Sequence, residues 1–353
     1  MSRTVRIGVP ASTSNLGAGF DCIGVAVDRW LNVTATLDRA GRGFTITRSG
    51  TLSALDIDPA ADRLVAGFRA ACQRARRELP DGVTFDATST IPVGRGLGSS
   101  ASATLAGALA ANALLGLGLT ERAIALACAD VEGHPDNVVP SLFGGARLAL
   151  TGADGSLVIA PLHVHESLAL VFAIPDFAVE TTHARSVLPP ALPHRTATRA
   201  AALGAALVQG LATANEGLLA AALDDVLHVP YRRGLVEGYD AVARAARRAG
   251  AFGATLSGSG STLLAVAPAH VAAPVAAAMV AAWQAVGVNA EPLVNPSTVG
   301  GATVSIDTIR SKASSPFNDS DPLKQSPPLF NDSDPLKAAA LSAGRVRDAG
   351  ITF

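Results

Sequence analysis

The sequence has 353 residues, which exceeds the comfortable size of one hydrophobic core and predicts two packed subdomains. Its 28 basic and 29 acidic residues give a formal net charge of -1, so charge gives no reason to expect a nucleic acid or an anionic membrane as partner, and a small diffusible substrate fits better. Three scattered cysteines, Cys22, Cys72 and Cys128, exclude a disulfide framework and a zinc site and favour a reducing cytoplasm.

The predicted elements mix strands and helices along the chain. The patterns indicate strands over residues 5–9, 25–37 and 168–174, helices over 99–115 and about 121–131, a helix-rich region over 196–227 and a glycine-rich turn over 258–260. Because strands and helices do not alternate strictly as βαβ units, we expect an α+β fold rather than a doubly wound sheet.

One apolar stretch, residues 271–288, raises the question of a membrane span. Alanine dominates it, and it contains Pro274 and Gln284. We therefore expect a buried or amphipathic helix there and no membrane partner.

The end of the chain differs in composition from the rest. All three lysines, Lys312, Lys324 and Lys337, lie there, and the octapeptide FNDSDPLK occurs twice. A repeat seen twice cannot stack as a solenoid, so we expect a disordered, low-complexity tail over residues 310–353. A linear motif that binds a partner is the alternative.

The segment from Ile91 to Ser102 reads IPVGRGLGSSAS and runs directly into a predicted helix. Its glycines let backbone N–H groups approach a ligand closely, and a helix start presents unpaired N–H groups with positive dipole character. This combination predicts a phosphate site; the alternative is that Ser99 or Ser100 only caps the helix. The predicted nucleotide-binding residues are Pro92, Val93, Gly94, Arg95, Gly96, Leu97, Gly98, Ser99, Ser100, Ala101 and Ser102.

The basic residues argue against the commoner nucleotide sites. No G-x-x-x-x-G-K-[ST] segment occurs, and the chain has no lysine before Lys312, which excludes a Walker loop and a protein-kinase ATP site. The charge of bound phosphates must then be met by backbone dipoles, a metal ion and Arg95.

The phosphate segment resembles the ATP-binding motif P-x-x-x-G-L-G-S-S-A of the galactokinase, homoserine kinase, mevalonate kinase and phosphomevalonate kinase superfamily, the GHMP kinases. Two further segments, residues 9–21 and 253–262, stand in the order that this superfamily uses. The first of them, together with EGHPDN at 132–137 and ARSVLP at 184–189, is similar to the homoserine kinase family in particular. The resemblance covers about residues 5–305 and leaves the tail out.

The resemblance implies a two-domain α+β fold, with an amino-terminal domain related to the second domain of ribosomal protein S5 and a ferredoxin-like carboxy-terminal domain. We expect the ATP-binding domain over residues 1–150 and the second domain over 151–309. The resemblance also implies ATP and Mg²⁺, phosphorylation of the side-chain hydroxyl of L-homoserine in threonine biosynthesis, and a homodimer. The alternatives are another acceptor, L-threonine or mevalonate, and a non-catalytic nucleotide-binding regulator.

Phosphoryl transfer needs aligned oxygens and neutralised charge, usually through Mg²⁺, more than covalent help from the protein. Mg²⁺ prefers carboxylate, hydroxyl, water and phosphate oxygens. The predicted metal ligands are therefore Glu132 and a hydroxyl of Ser99 or Ser100, with Asp130 as an alternative carboxylate.

A zwitterionic substrate needs a cation for its carboxylate and an acceptor for its ammonium group. Arg185 and Arg232 match positions where the family binds the carboxylate, and Arg233 is the adjacent competitor. Asn15 and Asp21 fall where the family binds the polar groups of the amino acid, with Asp21 as the acceptor for the ammonium. The alternative for Asn15 is a turn held by its side chain.

His134, Asp136 and Asn137 form a polar cluster in which we interpret His134 as a positioning group rather than a general base. By resemblance, Asn137 stands where mevalonate kinases carry an aspartate thought to act as base, which predicts that the γ-phosphate or water takes the proton. The predicted catalytic residues are Asn137, His134 and Arg185. The predicted substrate-binding residues are Asn15, Asp21, His134, Asp136, Asn137, Arg185, Arg232 and Gly258, the last of which could instead only form a hairpin turn.

Overall fold

The structure is a computed structural model that describes residues 3–38, 41–295 and 299–308. Its strands are β1 (Arg3–Asn15), β2 (Gly19–Leu37), β3 (Gly43–Gly50), β4 (Gly82–Ser89), β5 (Ala146–Thr151), β6 (Leu157–Leu162), β7 (Leu168–Pro175), β8 (Gly253–Leu256), β9 (Leu263–Pro268), β10 (Ala290–Val294) and β11 (Thr303–Thr308). Its α-helices are α1 (Arg63–Arg74), α2 (Ser99–Leu115), α3 (Glu121–Glu132), α4 (Val138–Phe143), α5 (Thr181–Ser186), α6 (His194–Thr213), α7 (Glu216–Ala222), α8 (Val229–Arg232), α9 (Tyr239–Arg248) and α10 (Ala272–Gln284). The tail predicted over residues 310–353 lies outside the described residues.

The first sheet has seven strands, with β11, β1, β2, β4 and β3 side by side and with β5 and β6 extending from β2. Strands β1 and β2 form a long antiparallel pair, whereas β3 runs parallel to β4. Apolar residues alternate along β1, so that Val5, Ile7 and Val9 are all buried. Helix α2 packs on β1 and on α1, and its alanine-rich sequence allows this close contact on several sides.

The second sheet has the order β10, β7, β9, β8, and all of its pairs are antiparallel. In chain order these are the fourth, first, third and second strands of the sheet, with α9 before the second and α10 between the third and fourth. This is the ferredoxin-like arrangement that the resemblance implied. Val242 of α9 and Met279 and Trp283 of α10 are buried in the core of this sheet.

The predicted boundary between residues 150 and 151 falls inside β5. Strand β5 pairs with β2 through Ile23 and Leu148, and β6 pairs with β5 along its whole length. The first sheet therefore continues to Leu162, and β11 returns to it from the far end of the described chain.

The apolar stretch at residues 271–288 contains α10, which has 13 residues. Its buried face packs into the core of the second sheet. In the part of the chain that the structure describes, no helix has the length and apolar character needed to cross a bilayer.

Candidate active site

The glycine-rich segment forms a loop between β4 and α2. Gly94, Gly96 and Gly98 all have a left-handed backbone, and Gly98 is the N-cap of α2, so the cap residue has no side chain that could bond the first turn. The alternative in which Ser99 or Ser100 caps the helix is thus not what the structure shows. The first N–H groups of a 17-residue helix are left for a ligand, which makes this end of α2 an anion site.

The three segments that carry the resemblance meet around this loop. A Cβ atom on Gly96 would lie 2.1 Å from the carbonyl oxygen of Ser257, so the loop and the turn between β8 and β9 touch backbone to backbone. Ser257 Oγ donates to the Gly96 carbonyl at 2.6 Å and hydrogen-bonds Thr13 Oγ1 at 2.8 Å. Asn15 Nδ2 donates to the Gly258 carbonyl at 2.9 Å, which joins the first segment to the third.

A cavity of about 390 Å³ opens at this junction. It is lined by every predicted substrate-binding residue and by both predicted metal ligands: Asn15, Asp21, His134, Asp136, Asn137, Arg185, Arg232, Gly258, Ser100 and Glu132. The phosphate segment contributes Val93, Gly94, Arg95, Gly96, Gly98, Ser99 and Ser100. Four residues predicted to bind the nucleotide do not line the cavity, because they are buried beneath the loop and in the core-facing side of α2: Pro92, Leu97, Ala101 and Ser102.

Sequence reasoning missed five residues of the cavity wall, Ser14, Arg63, Thr181, Thr182 and Ser259. Arg63 is the first residue of α1, and no motif marks it. Thr181 and Thr182 precede Arg185 by four and three positions on α5, a spacing that places them on the helix face of Arg185. That spacing would have identified the two threonines once the helix had been recognised.

Glu132 is held among hydroxyl groups at the phosphate-loop side of the cavity. Its side chain is 5% exposed and accepts hydrogen bonds from Ser100 Oγ at 2.5 Å and from Thr104 Oγ1 at 2.7 Å. The alternative carboxylate, Asp130, is exposed and does not line the cavity. A carboxylate and a hydroxyl beside a phosphate site are the oxygen ligands that Mg²⁺ prefers, so Glu132 and Ser100 fit this ion.

Asp21, His134 and Asp136 also lie close enough together to share a cation. Within this group, however, Asp21 is neutralised by Arg185, and His134 Nδ1 makes a short ion pair with Asp136 Oδ1. Burial alone would lower the pKa of His134, but the hydrogen bond and the charge of Asp136 outweigh burial and raise the pKa. A cation at this position would have to displace groups that are already paired.

Arg185 and Asp21 form a bidentate ion pair in the cavity wall. Arg185 Nη2 and Nη1 donate to the two carboxylate oxygens of Asp21 at 2.9 and 3.1 Å. Asn15 Oδ1 accepts from the Asp21 N–H at 3.0 Å and holds Asp21 in a left-handed backbone conformation. Burial tends to lower the pKa of Arg185, but the hydrogen bonds and charge of Asp21 raise it, so this arginine stays charged.

Arg232 is the second cation of the cavity, and it is 2% exposed. Burial, followed by the positive charge of Arg185, lowers the pKa of Arg232 to about 10, which still leaves it charged at neutral pH. Its neighbour Arg233 is exposed and lies 3.7 Å from Asp240, outside this cavity. The structure therefore places Arg232, and not its neighbour Arg233, in the cavity wall, a choice that the sequence had left open.

The Asn137 side-chain amide is fixed on both sides. Its Oδ1 accepts from Ser12 Oγ and its Nδ2 donates to Ser14 Oγ, each at 3.0 Å. Because Ser12 and Ser14 belong to β1, the polar cluster at 134–137 is anchored to the first segment. The amide can position a neighbouring group, and it has no basic atom that could remove a proton.

A second, apolar cavity of about 130 Å³ adjoins the first. The two share Arg63, Val93, Ser99 and Ser100. Its other walls are mainly aliphatic, from Leu31, Leu52, Leu55, Ile57, Leu64 and Ile91. A small apolar cavity beside a phosphate site suits the flat base of a nucleotide.

Comparison with known proteins gives the same class as the fold and the cavity. Residues 63–145 match the GHMP kinases N terminal domain, and residues 202–285 match the GHMP kinases C terminal domain. The molecule is a two-domain GHMP kinase.

Individual relatives place the chain more narrowly, in one family of this class. The chain is 43% identical over 288 residues to a homoserine kinase of Microchaete diplosiphon, covering 82% of this chain and 93% of the relative, and 40% identical over 305 residues to one of Synechococcus, covering 86% and 99%. A crystal structure of homoserine kinase from Cytophaga hutchinsonii superposes with a TM-score of 0.76 at 28% identity, covering 86% of this chain and 97% of that one. The chain belongs to the homoserine kinase family.

Proposed function

We propose that this chain transfers the γ-phosphoryl group of ATP to the side-chain hydroxyl of L-homoserine, giving O-phospho-L-homoserine and ADP. The observation that carries the proposal is one cavity that holds the Asp21–Arg185 ion pair and Arg232 together with the free N-terminus of α2. The first three groups suit an amino acid, and the helix end suits a phosphate.

Recognition of the amino acid follows from the charges. A zwitterion offers an ammonium group to Asp21 and a carboxylate to Arg185 and Arg232. Its binding breaks the Asp21–Arg185 ion pair but gives each of these two side chains an oppositely charged group of the substrate as a new partner. Mevalonate has a carboxylate but no ammonium group, and it would separate Arg185 from Asp21 without giving Asp21 a new partner. A partly buried charge left unpaired in this way opposes binding. L-Threonine carries the same two charges, so only the length and branching of its side chain distinguish it.

The nucleotide is assigned to the loop side of the cavity. The phosphates bind at the start of α2, Arg95 adds positive charge, and the base occupies the adjoining apolar cavity. Mg²⁺, held by Ser100 and Glu132, would neutralise charge on the phosphate oxygens.

In the transfer step a bond forms between the homoserine hydroxyl oxygen and the γ-phosphorus, and the bond from that phosphorus to the β–γ bridging oxygen breaks. The hydroxyl proton passes to a γ-phosphate oxygen or to water. Asn137, held between Ser12 and Ser14, and His134, held by Asp136, orient the reacting hydroxyl. An Asn137→Ala enzyme with full turnover would contradict this role for Asn137.

The direct test is a coupled assay of ADP release with ATP and Mg²⁺. L-Homoserine, L-threonine and mevalonate are offered in separate reactions beside a control without acceptor. We expect turnover with L-homoserine far above that with the other two. A preference for L-threonine or mevalonate would overturn the acceptor, and ATP binding without transfer to any acceptor would favour a binding-only protein.

Two neighbouring arginines give a matched control in the same assay. Arg232→Ala should raise the KM for L-homoserine by roughly tenfold or more, because a charge-assisted contact to the carboxylate is lost. Arg233→Ala should leave the KM for L-homoserine and the KM for ATP unchanged, because Arg233 lies outside the cavity. Equal effects of the two changes would count against the assignment of the carboxylate to Arg232.

A cytoplasmic location and a homodimer stay predictions from composition and resemblance. Light scattering on the purified chain tests the dimer. Imaging of the tagged protein in its own cell tests the location.

A further inference from the structure

The guanidinium group of Arg232 is fixed by groups that take no part in the transfer step. Arg232 Nε donates to the Ala184 carbonyl at 2.9 Å, and Arg232 Nη1 lies 3.3 Å from His228 Nδ1. The ring of Phe20 lies against the same guanidinium, with 5.2 Å between its centroid and Arg232 Cζ. An arginine has five N–H groups, so these two hydrogen bonds leave three for the cavity.

The partners of His228 determine where its proton is. A guanidinium group only donates, so His228 Nδ1 must accept and carries a lone pair. The remaining proton is then on Nε2, which donates to the Gly17 carbonyl at 3.2 Å. The imidazole is fully buried and stacks on Phe20 at 4.9 Å between ring centroids. The contact with Arg232 excludes the imidazolium, and together with the contact to Gly17 it requires the neutral Nε2–H form.

The surroundings of His228 favour that neutral form. Burial lowers the pKa of His228 to about 4, although the charge of Asp225 acts in the opposite direction. Asp225 is itself occupied, since its carboxylate accepts the backbone N–H groups of Leu227, His228 and Val229 at 2.6 to 2.9 Å. These bonds fix the start of α8, where His228 and Arg232 stand four residues apart on one side of the turn.

We propose that His228 is a positioning residue for the amino-acid substrate. As the Nε2–H tautomer it ties the Arg232 guanidinium to the backbone of Gly17 in the first segment, so that the remaining N–H groups of Arg232 stay aimed at the substrate carboxylate. The inference rests on the proposed function for the identity of that substrate. Part of the affinity for the substrate carboxylate then depends on His228, a residue that does not line the cavity.

Two substitutions separate the two sides of the imidazole. His228→Asn keeps an acceptor near the Nδ1 position and loses the contact to Gly17, whereas His228→Gln reaches the Nε2 position and loses the acceptor for Arg232. We expect H228Q to raise the KM for L-homoserine by roughly tenfold, the usual effect of losing a hydrogen bond to a charged group, with the KM for ATP unchanged. H228N should change the KM for L-homoserine by less than about threefold, a smaller loss because Arg232 keeps its acceptor.

A purely structural role for His228 would give a different pattern. In that case the two variants would lose similar amounts of thermal stability and would change both KM values alike, and this result would overturn the proposal. Equal KM values for L-homoserine in H228Q and the wild type would overturn it as well.

A second measurement does not depend on activity. In the ¹⁵N spectrum of the ligand-free wild-type chain, the imidazole signals that disappear in H228N belong to His228. We expect them to show an unprotonated Nδ1 and a protonated Nε2 at pH 7. The opposite tautomer or an imidazolium would overturn the inference, even if L-homoserine turned out not to be the substrate. Absence of turnover with L-homoserine, together with the expected tautomer, would instead overturn only the proposed function.

Discussion

Arg185 and Asp21 stand 164 positions apart in the chain, yet they join through two hydrogen bonds of 2.9 and 3.1 Å. Each is about one-third exposed, so both groups are open to the cavity while paired. A zwitterionic ligand is complementary to the separated pair, because it presents an anion and a cation to the same two side chains.

Replacing the acid of this pair should weaken binding of the amino acid and leave the nucleotide unaffected. We expect Asp21→Asn to raise the KM for L-homoserine by roughly 10- to 100-fold, the range for losing a hydrogen bond to a charged group. The KM for ATP should stay the same. Steady-state kinetics with each substrate varied in turn measures both values, and Asp86→Asn, an exposed change on β4, is the control. A rise in the KM for ATP alone would place Asp21 on the nucleotide side.

Glu132 should determine the response to Mg²⁺. Glu132→Gln keeps the shape of the side chain but removes its charge and one of the two oxygens that accept from Ser100 and Thr104, so we expect a roughly 100-fold lower kcat and a higher Mg²⁺ concentration at half-maximal activity. The measurement is a Mg²⁺ titration of ADP release. Asp130→Asn is the matched control, because this carboxylate is two residues away and exposed. An unchanged Mg²⁺ requirement in the Glu132 variant would remove it from the metal site.

Gly96 should be intolerant of any side chain. In Gly96→Ala the new Cβ would lie 2.1 Å from the Ser257 carbonyl, so the phosphate loop must shift, and we expect a KM for ATP raised by roughly tenfold, in line with 1 to 3 kcal/mol of local strain. Gly118→Ala isolates the backbone contribution, since Gly118 has a similar φ of +70° and no atom within 4 Å of an added Cβ. That control should lose about 1 to 2 kcal/mol of stability from its left-handed backbone, with its KM values unchanged. Similar KM values for ATP in both variants would show that the contact with Ser257 is unimportant.

The low pKa of His228 should make stability depend on pH. In the unfolded chain this imidazole gains a proton as the pH falls through about 6.5, whereas in the folded chain it stays neutral down to about 4. The unfolded state therefore binds more protons in this window, and stability is full above pH 6.5 and falls as the pH drops. The slope from one such group is at most about 1.4 kcal/mol per pH unit.

Urea unfolding of the wild type and of His228→Asn at pH 7, 6 and 5 measures this contribution. The difference in free energy of unfolding between the two should decrease toward low pH, because only the wild type gains the extra proton on unfolding. Parallel curves for the two proteins would show that His228 does not stay neutral in the folded chain.

Features set by neighbouring residues were predictable. The helix predicted over residues 99–115 is α2, and the one predicted over about 121–131 lies within α3. The loop before α2 was recognisable because glycine conformations and the unpaired N–H groups of a helix start are local properties. Proximity of the three family segments came from the resemblance and not from any pattern within them.

Features set by packing were not predictable. Arg232 and Arg233 are adjacent and chemically identical, and only the contacts of the Arg232 guanidinium with Ala184, Phe20 and His228 make one of them part of the cavity. Glu132 and Asp130 are separated in the same way by the face of α3 that meets Ser100 and Thr104.

The sequence by itself determined the class of the site: a glycine-rich phosphate loop opening a helix, carboxylate and hydroxyl groups for a hard cation, and arginines in place of lysine. The tertiary structure alone decided which of these side chains meet, where the first sheet ends, and that Asp21 and Arg185 are partners. The physical reason is the distance along the chain between the residues that determine each property. Backbone conformation and helix starts depend on residues a few positions away, whereas burial, ion pairing and side-chain direction depend on contacts between segments that are far apart in the chain, such as the 48 residues between Ala184 and Arg232 or the 164 between Asp21 and Arg185.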